Sequence, residues 1–275
     1  MSINNKLAVI TGAGGVLCSG FAKAIAKAGA RVILLDINKE SAEAFAEEIR
    51  KDGGVAYAYA CNVLDKAAIE AVHAQILSEH GKCDILINGA GGNNPRATLD
   101  KEYYEEGDEQ NNDIKTFFNL DKSGFSFVFD LNLMGTLLPT QVFSPDMLGR
   151  DGVILNVSSM NAFRPLTKIP AYSAAKSAIS NFTEWLAVYF AKGGIRVNAI
   201  APGFFVTKQN EALLFKDGVP TARTEKILNA TPMGRFGKAE ELNGALMWLI
   251  DNELSSFVTG IVVPVDGGFS AYSGV

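Results

Sequence analysis

Short apolar runs alternate with amphipathic stretches along most of the chain. Residues 6–11 (KLAVIT) form the first run, and Gly12, Gly14 and Gly15 interrupt it. Leu17, Gly20, Phe21, Ala24, Ile25 and Ala28 then recur at helical spacing. Gly29 closes that stripe, and residues 31–36 (RVILLD) form a second run. Ala42, Phe45, Ala46 and Ile49 make the next helical stripe, stopped by Gly53-Gly54. A third strand is expected over 55–61, followed by Asp65 as a helix N-cap and the stripe Ile69, Val72, His73, Ile76 and Leu77. Residues 83–88 (CDILIN) read as a fourth strand. Strands that alternate with amphipathic helices in this way predict βαβ units and a parallel sheet.

The rhythm breaks at 92–124, a polar and acidic stretch without clear periodicity. Two readings stand open: a solvated surface loop, or a lid over the end of the fourth strand, where such sheets take ligands. Beyond it the pattern predicts a helix over 125–147 carrying Asn132, a strand over 152–158 and a long helix over 172–192. A strand over 195–201, a loop over 202–224 with a short helix at 210–215, a helix over 239–250 and a last strand over 261–265 complete the order. No linker or internal repeat divides the chain, so a single domain over 1–275 is expected, with an inserted loop or lid at 92–124.

Composition narrows the function classes. The 275 residues are 48% hydrophobic and 20% charged, with a formal charge of −5. That balance argues against a nucleic-acid partner, which would call for a basic face. No apolar run reaches the ~18–20 residues of a membrane span. The N-terminal residues lack the long apolar stretch of a secretion signal, so a cytoplasmic location is expected. Cys18, Cys61 and Cys83 are odd in number and lack metal-ligand spacing, which suits reduced, buried thiols. His73 and His80 are the only histidines, so no metal site is expected, and His73 reads as a packed residue on an apolar stripe.

Against that background a few residues carry chemistry. The glycine turn at Gly12, Gly14 and Gly15 lies between a strand and a helix. There, backbone N–H groups and the helix N-terminus at Val16 and Leu17 can hold a pyrophosphate. Asp36 ends the second strand, where a carboxylate accepts adenosine ribose hydroxyls and repels a 2′-phosphate; this favours NAD(H) over NADP(H). Tyr172 and Lys176 stand one helical turn apart. A lysine ammonium there is expected to favour the phenolate and pull the phenol down toward neutral pH. Ser159, returning from the preceding strand end, could bond the same substrate oxygen, with Ser158 as the adjacent alternative.

Taken in order, Thr11-Gly12, Asn88-Gly89-Ala90-Gly91, Asn132, Ser159, Tyr172-x-x-x-Lys176 and Pro202-Gly203 with Thr207 resemble the short-chain dehydrogenase/reductase family over essentially the whole chain. The resemblance implies a Rossmann-type, doubly wound α/β sheet of about seven parallel strands with helices on both faces. It implies a nicotinamide oxidoreductase in which Tyr172 is general acid and base. Lys176 would hold the nicotinamide ribose, Ser159 would polarise the substrate oxygen, and Asn132 would hold a water. It adds Asn62 and Val63 beside the adenine, Asn88, Ala90 and Gly91 beside the ribose, and Pro202, Gly203, Phe205 and Thr207 around the carboxamide and phosphate. A dimer or tetramer is the family's usual assembly; a homotetramer is expected here, built on the helix that carries Phe182, Trp185 and Tyr189.

The chain departs from the family pattern at three places. Val16 and Cys18 take the second and third glycine positions of the turn, Asn62 stands where an Asp is frequent, and Gly89 replaces a second Asn. Within the family, the insertion and the segments around Ser159, Pro202 and the C-terminus resemble the sugar-acid branch. More narrowly they resemble bacterial D-mannonate oxidoreductases of the short-chain type, implying D-fructuronate and D-mannonate as the pair. Other sugar-acid or polyol dehydrogenases, such as those acting on gluconate, remain alternatives, as does a non-catalytic NAD(H)-binding regulator. A small polyhydroxy acid needs amides and a cation. Asn93, Arg96, Asn161 and Arg164 are the first substrate candidates, with Asn94, Lys168, Lys208 and Gln209 also near the expected pocket.

Overall fold

The computed structural model describes residues 3–206, 211–216 and 218–274. Nine strands and ten α-helices are assigned among them. β1 (Leu7–Thr11), β2 (Arg31–Asp36), β3 (Val55–Ala60), β4 (Ile85–Asn88), β5 (Gly152–Val157), β6 (Ile195–Pro202) and β9 (Val262–Val265) form one sheet in the order β3-β2-β1-β4-β5-β6-β9. Every pairing in it is parallel. β7 (Phe215–Lys216) and β8 (Val219–Pro220) form a separate antiparallel pair.

The helices are α1 (Val16–Lys27), α2 (Lys39–Lys51), α3 (Lys66–Glu79), α4 (Lys122–Phe129), α5 (Gly135–Met147), α6 (Pro170–Phe190), α7 (Glu211–Leu214), α8 (Ala222–Asn229), α9 (Asn243–Ile250) and α10 (Asn252–Ser255). Successive strand residues point to opposite faces, and each face is buried. Ala8, Ile10, Val32, Leu34, Ile85, Ile87, Val153 and Leu155 pack with α1, α2 and α9. Leu7, Val9, Ile33, Leu35, Leu86 and Ile154 pack on the other side with α3, α5 and α6. This is the doubly wound sheet with helices on both faces that the sequence predicts.

β1 lies between β2 and β4, so the chain leaves it in opposite directions. The C-terminal ends of β1 and β4 therefore border the crevice where such sheets take their ligands. Caps explain several boundaries. Asn38 accepts the Ser41 N–H at 3.0 Å and Asp65 accepts the Ala68 N–H at 3.1 Å, opening α2 and α3. Pro170 opens α6, where its missing N–H costs nothing.

The unbroken helix expected over 125–147 is not what forms. A π-helical segment, Asp130–Met134, separates α4 from α5. The wider turn places Asn132 inward, with both amide hydrogens taken by the Gly92 and Val128 carbonyls at 2.8 and 2.7 Å. π-segments inside helices frequently mark functional sites. The sequence reading also lacks α8, α10 and the β7–β8 pair.

His73 is packed as expected. It bonds Asp146 at 2.9 Å and sets its edge against Phe143. Cys18, Cys61 and Cys83 are all free and buried.

Candidate active site

The glycine turn closes tightly. Gly12 has φ +66°, and a Cβ there would meet the Ala90 backbone at 2.7 Å. The Gly15 N–H returns to the Gly12 carbonyl at 3.1 Å. Gly15 caps α1 without any side-chain bond, and the first turn of α1 holds no acid, so its N–H groups stay open to an anion. Asp36 accepts the Gly14 N–H at 2.9 Å and the Asn38 N–H at 2.9 Å, which holds its carboxylate at the end of β2 beside that turn. These residues suit a dinucleotide: an uncapped helix end for pyrophosphate, and a fixed carboxylate for ribose hydroxyls.

Two departures from the family pattern turn out to be one. A Cβ at Gly89 would stand 2.1 Å from the Cys18 sulfur. Cys18, in place of a glycine, fills the space that a side chain at 89 would need. Thr11 then receives the Gly89 and Ala90 N–H groups at 3.1 and 3.2 Å, tying the β4 turn to β1. Burial pushes the Cys18 thiol up to about 12, so it is an inert filler rather than a nucleophile.

Other cofactor candidates are placed less directly. The Asn88 amide is 2% exposed and donates to Thr140 and Asn156, both at 2.9 Å. It braces β4 against α5 and β5, the sheet support expected of this turn, and its Oδ1 has no partner among the described residues. Asn62 accepts the Leu64 N–H at 3.0 Å in a tight turn, and Val63 is buried against Gly135. Gly203 must lack a side chain, because a Cβ would lie 2.5 Å from the Asp266 Cα. Phe205 is buried and bridges to Gly237 just beyond Pro202, while Thr207, Lys208 and Gln209 lie outside the described residues.

Ser159, Tyr172 and Lys176 converge where β5 ends and α6 begins. Ser159 is extended, and its hydroxyl lies beside the Tyr172 phenol. Ser158 faces the other way, toward Ser180 at 2.8 Å and the Lys176 carbonyl at 3.2 Å. Lys176 is 3% exposed and donates to the Val157 carbonyl at 2.8 Å. Its ammonium lies 5.6 Å from the Tyr172 ring centre. Gly91 separates it from Asn132, since a Cβ there would meet the Asn132 Oδ1 at 2.6 Å and the Lys176 Nζ at 3.2 Å.

The expected lowering of the phenol by Lys176 is not met. Burial pushes the Tyr172 phenol up, and only the neighbouring Ser159 hydroxyl pulls it the other way. Lys176 is itself buried, which brings it down to about 8, and its ammonium donates to the Val157 carbonyl.

The substrate candidates divide. Arg96 turns away, donating to Ser123 at 3.2 Å with Asp121 at 3.8 Å, so it braces the insertion against α4. Asn93 is exposed and bonds Thr98 at 3.0 Å within the insertion. Both bonds arise because the insertion folds on itself, which spacing from β4 does not reveal. Asn161 and Arg164 do lie on the turn after Ser159. The Asn161 N–H donates to Ser159 Oγ at 3.3 Å, and the buried Asn161 Oδ1 has no partner. Arg164 Nε donates to the Ser270 carbonyl at 3.1 Å. A cavity of about 400 Å³ behind Phe204 and Phe205 contains none of these groups, and the arginine beside it, Arg235, is bound twice by Glu241 at 2.7 and 2.8 Å.

Comparison with known proteins agrees with this geometry. Residues 13–270 match the family model described as enoyl-(acyl carrier protein) reductase, a short-chain dehydrogenase model. The chain belongs to the short-chain dehydrogenase/reductase family. As a member it is an oxidoreductase. It is similar to a crystal structure from Haemophilus influenza with bound NAD, provisionally named a D-mannonate oxidoreductase. The two share 62% identity over 100% of this chain and 98% of that one, with a TM-score of 0.95. It is 52% identical to UxuB of Bacillus subtilis strain 168, an uncharacterised oxidoreductase, over 100% of this chain and 98% of the relative. It also resembles a gluconate 5-dehydrogenase structure from Burkholderia cenocepacia in complex with NADP and tartrate. There the identity is 30%, over 98% of this chain and 96% of that one, with a TM-score of 0.82.

Proposed function

We propose that this family member interconverts a keto sugar acid and its hydroxy acid with NAD(H), and that the pair is D-fructuronate and D-mannonate. The observation that carries the chemistry is the meeting of the Ser159 hydroxyl, the Tyr172 phenol and the Lys176 ammonium at one strand end. The cofactor, when bound, supplies or accepts the hydride. Asp36 and the open end of α1 hold its adenosine half, with Gly203 and Phe205 at the other. In reduction, Tyr172 gives its proton to the substrate oxygen as that oxygen gains charge, and in oxidation it takes the proton back. Ser159 orients that oxygen. Lys176 lies beside the phenol to bind ribose hydroxyls, and Asn132 fixes the Gly92 turn next to it.

The substrate reading draws on the relative provisionally named for D-mannonate and on the polar turn with Asn161 and Arg164. The insertion at 92–124 acts as a lid. In support, the Leu99 N–H bonds the Lys168 carbonyl at 2.7 Å and Glu102 pairs with Lys226 of α8 at 2.8 Å, so it is tied both to the segment before α6 and to α8. The enzyme works as one domain and as a homotetramer in the cytoplasm. Among the described residues no helix is long and apolar enough to cross a membrane.

A panel of keto sugar acids with NADH tests the substrate. D-fructuronate should be reduced fastest; turnover of 5-keto-D-gluconate alone would instead support the gluconate-type reading, which the Burkholderia cenocepacia similarity favours. Tyr172→Phe should lower kcat by roughly 10³-fold or more while NADH binding stays within about 2-fold. Retained turnover would remove Tyr172 from the proton path.

A further inference from the structure

Arg164 is tied down at both ends. Its backbone N–H donates to the Met160 carbonyl at 3.0 Å, and its Nε donates to the Ser270 carbonyl at 3.1 Å. The second tie crosses 106 positions of sequence. Ser270 itself lies in a built turn. Asp266 accepts the Gly268 N–H at 2.9 Å and the Ser270 N–H at 2.8 Å, and the Phe269 ring meets Phe204 edge-on at 5.2 Å. The turn that carries Arg164 is strapped to α6, because Ser177 donates to the Ala162 carbonyl at 3.2 Å, one residue past Lys176.

A guanidinium has five donors in a fixed plane. The carbonyl bond takes Nε and leaves the end-on pair, Nη1 and Nη2, without a hydrogen bond or ion pair to any described residue. That pair is the fork that grips a carboxylate through two parallel bonds. Arg96 and Arg235, by contrast, are already committed to acidic partners. On the same turn, Asn161 keeps a buried amide oxygen without a partner. That oxygen can accept a hydrogen bond from a substrate hydroxyl.

We propose that Arg164 grips the carboxylate of the substrate acid and that the C-terminal turn at 266–271 is its positioning device, the Ser270 carbonyl setting the plane of the fork. The inference rests on the sugar-acid reading of the substrate. It assigns to the chain's last turn a part in substrate affinity, although that turn touches no reacting atom.

The test compares Arg164→Gln, Arg164→Lys, deletion of 269–275, and Asp266→Ala as a full-length way to loosen the same turn. Steady-state rates are measured on the best keto sugar acid of the panel. Arg164→Gln should raise KM by about 30-fold with kcat within about 3-fold, and Arg164→Lys should recover part of that loss. The deletion and Asp266→Ala should each raise KM by about 5–10-fold, and neither should add to Arg164→Gln. NADH binding and the melting temperature report whether each variant folds. Unchanged KM in folded turn variants, or full additivity with Arg164→Gln, would overturn the positioning role. A fall in kcat as large as the rise in KM would overturn the clamp. If no acid in the panel is reduced, the substrate reading fails by itself. The clamp is then judged by D-mannonate and D-gluconate binding, read from the fluorescence of the NADH complex: binding weakened by Arg164→Gln supports it, and binding equal to the parent's rejects it.

Discussion

Lys176 places a cation where water scarcely reaches. Burial brings it from its ordinary range to about 8, whereas the unfolded chain keeps a lysine near its ordinary value. Between about pH 8 and pH 10 the unfolded state therefore binds more protons than the folded state, and stability from this group rises with pH across that window. Relative to Lys176→Met, the parent should gain about 1–2 kcal/mol between pH 8 and 9.5, read from urea midpoints at fixed slope. A flat or falling difference would reject the depressed lysine. Tyr172 shows the same desolvation with the opposite sign. Its phenol is pushed up, so the proton it donates is held until a substrate oxygen and a nearby cation change the balance. The types and spacing of these two residues could be read from the sequence. The direction of the phenol's shift could not, because it depends on how many atoms surround the hydroxyl and on where the lysine's proton points.

Elements meet in ways that correct one another. Cys18 on α1 and Gly89 after β4 read as two separate departures, yet they occupy one space. Gly89→Asn should cost about 1–3 kcal/mol through overpacking against the Cys18 sulfur. Adding Cys18→Gly, which by itself loses only about 0.3 kcal/mol of helix propensity, should recover part of the loss through a coupling of at least about 1 kcal/mol. Strict additivity in a double-mutant cycle would show that the two positions do not share that space. The π-helical segment between α4 and α5 is a second case. Apolar periodicity runs through it as if the helix were regular, and only the closure of Asn132 onto Gly92 and Val128 makes the wider turn worthwhile. Strand β2 and the cap at Asp65 lie where local signals place them, because short-range propensities decide them.

At the scale of the whole molecule, α6 presents a column of rings to solvent. Phe182, Trp185 and Tyr189 stack with centroids 6.1 and 5.0 Å apart, and Trp185, Val188 and Tyr189 are all exposed. An apolar patch of this kind suits a second copy of the chain. Trp185→Glu with Tyr189→Glu should reduce the assembly mass in sedimentation at micromolar concentration, with the melting temperature also falling. An unchanged mass would move the interface elsewhere.

The sequence by itself determined the alternation of strands and helices, the parallel sheet and the one-turn spacing of Tyr172 and Lys176, while Ser159 joined them through the family resemblance. Those features follow from periodicity, capping and fixed spacing, which act over a few residues. Tertiary structure decided the rest: which glycine faces which sulfur, how Arg96 meets Ser123, and how Ser270 comes to hold Arg164. Each depends on contacts between segments far apart in the chain, and packing geometry sets such contacts where local preference cannot.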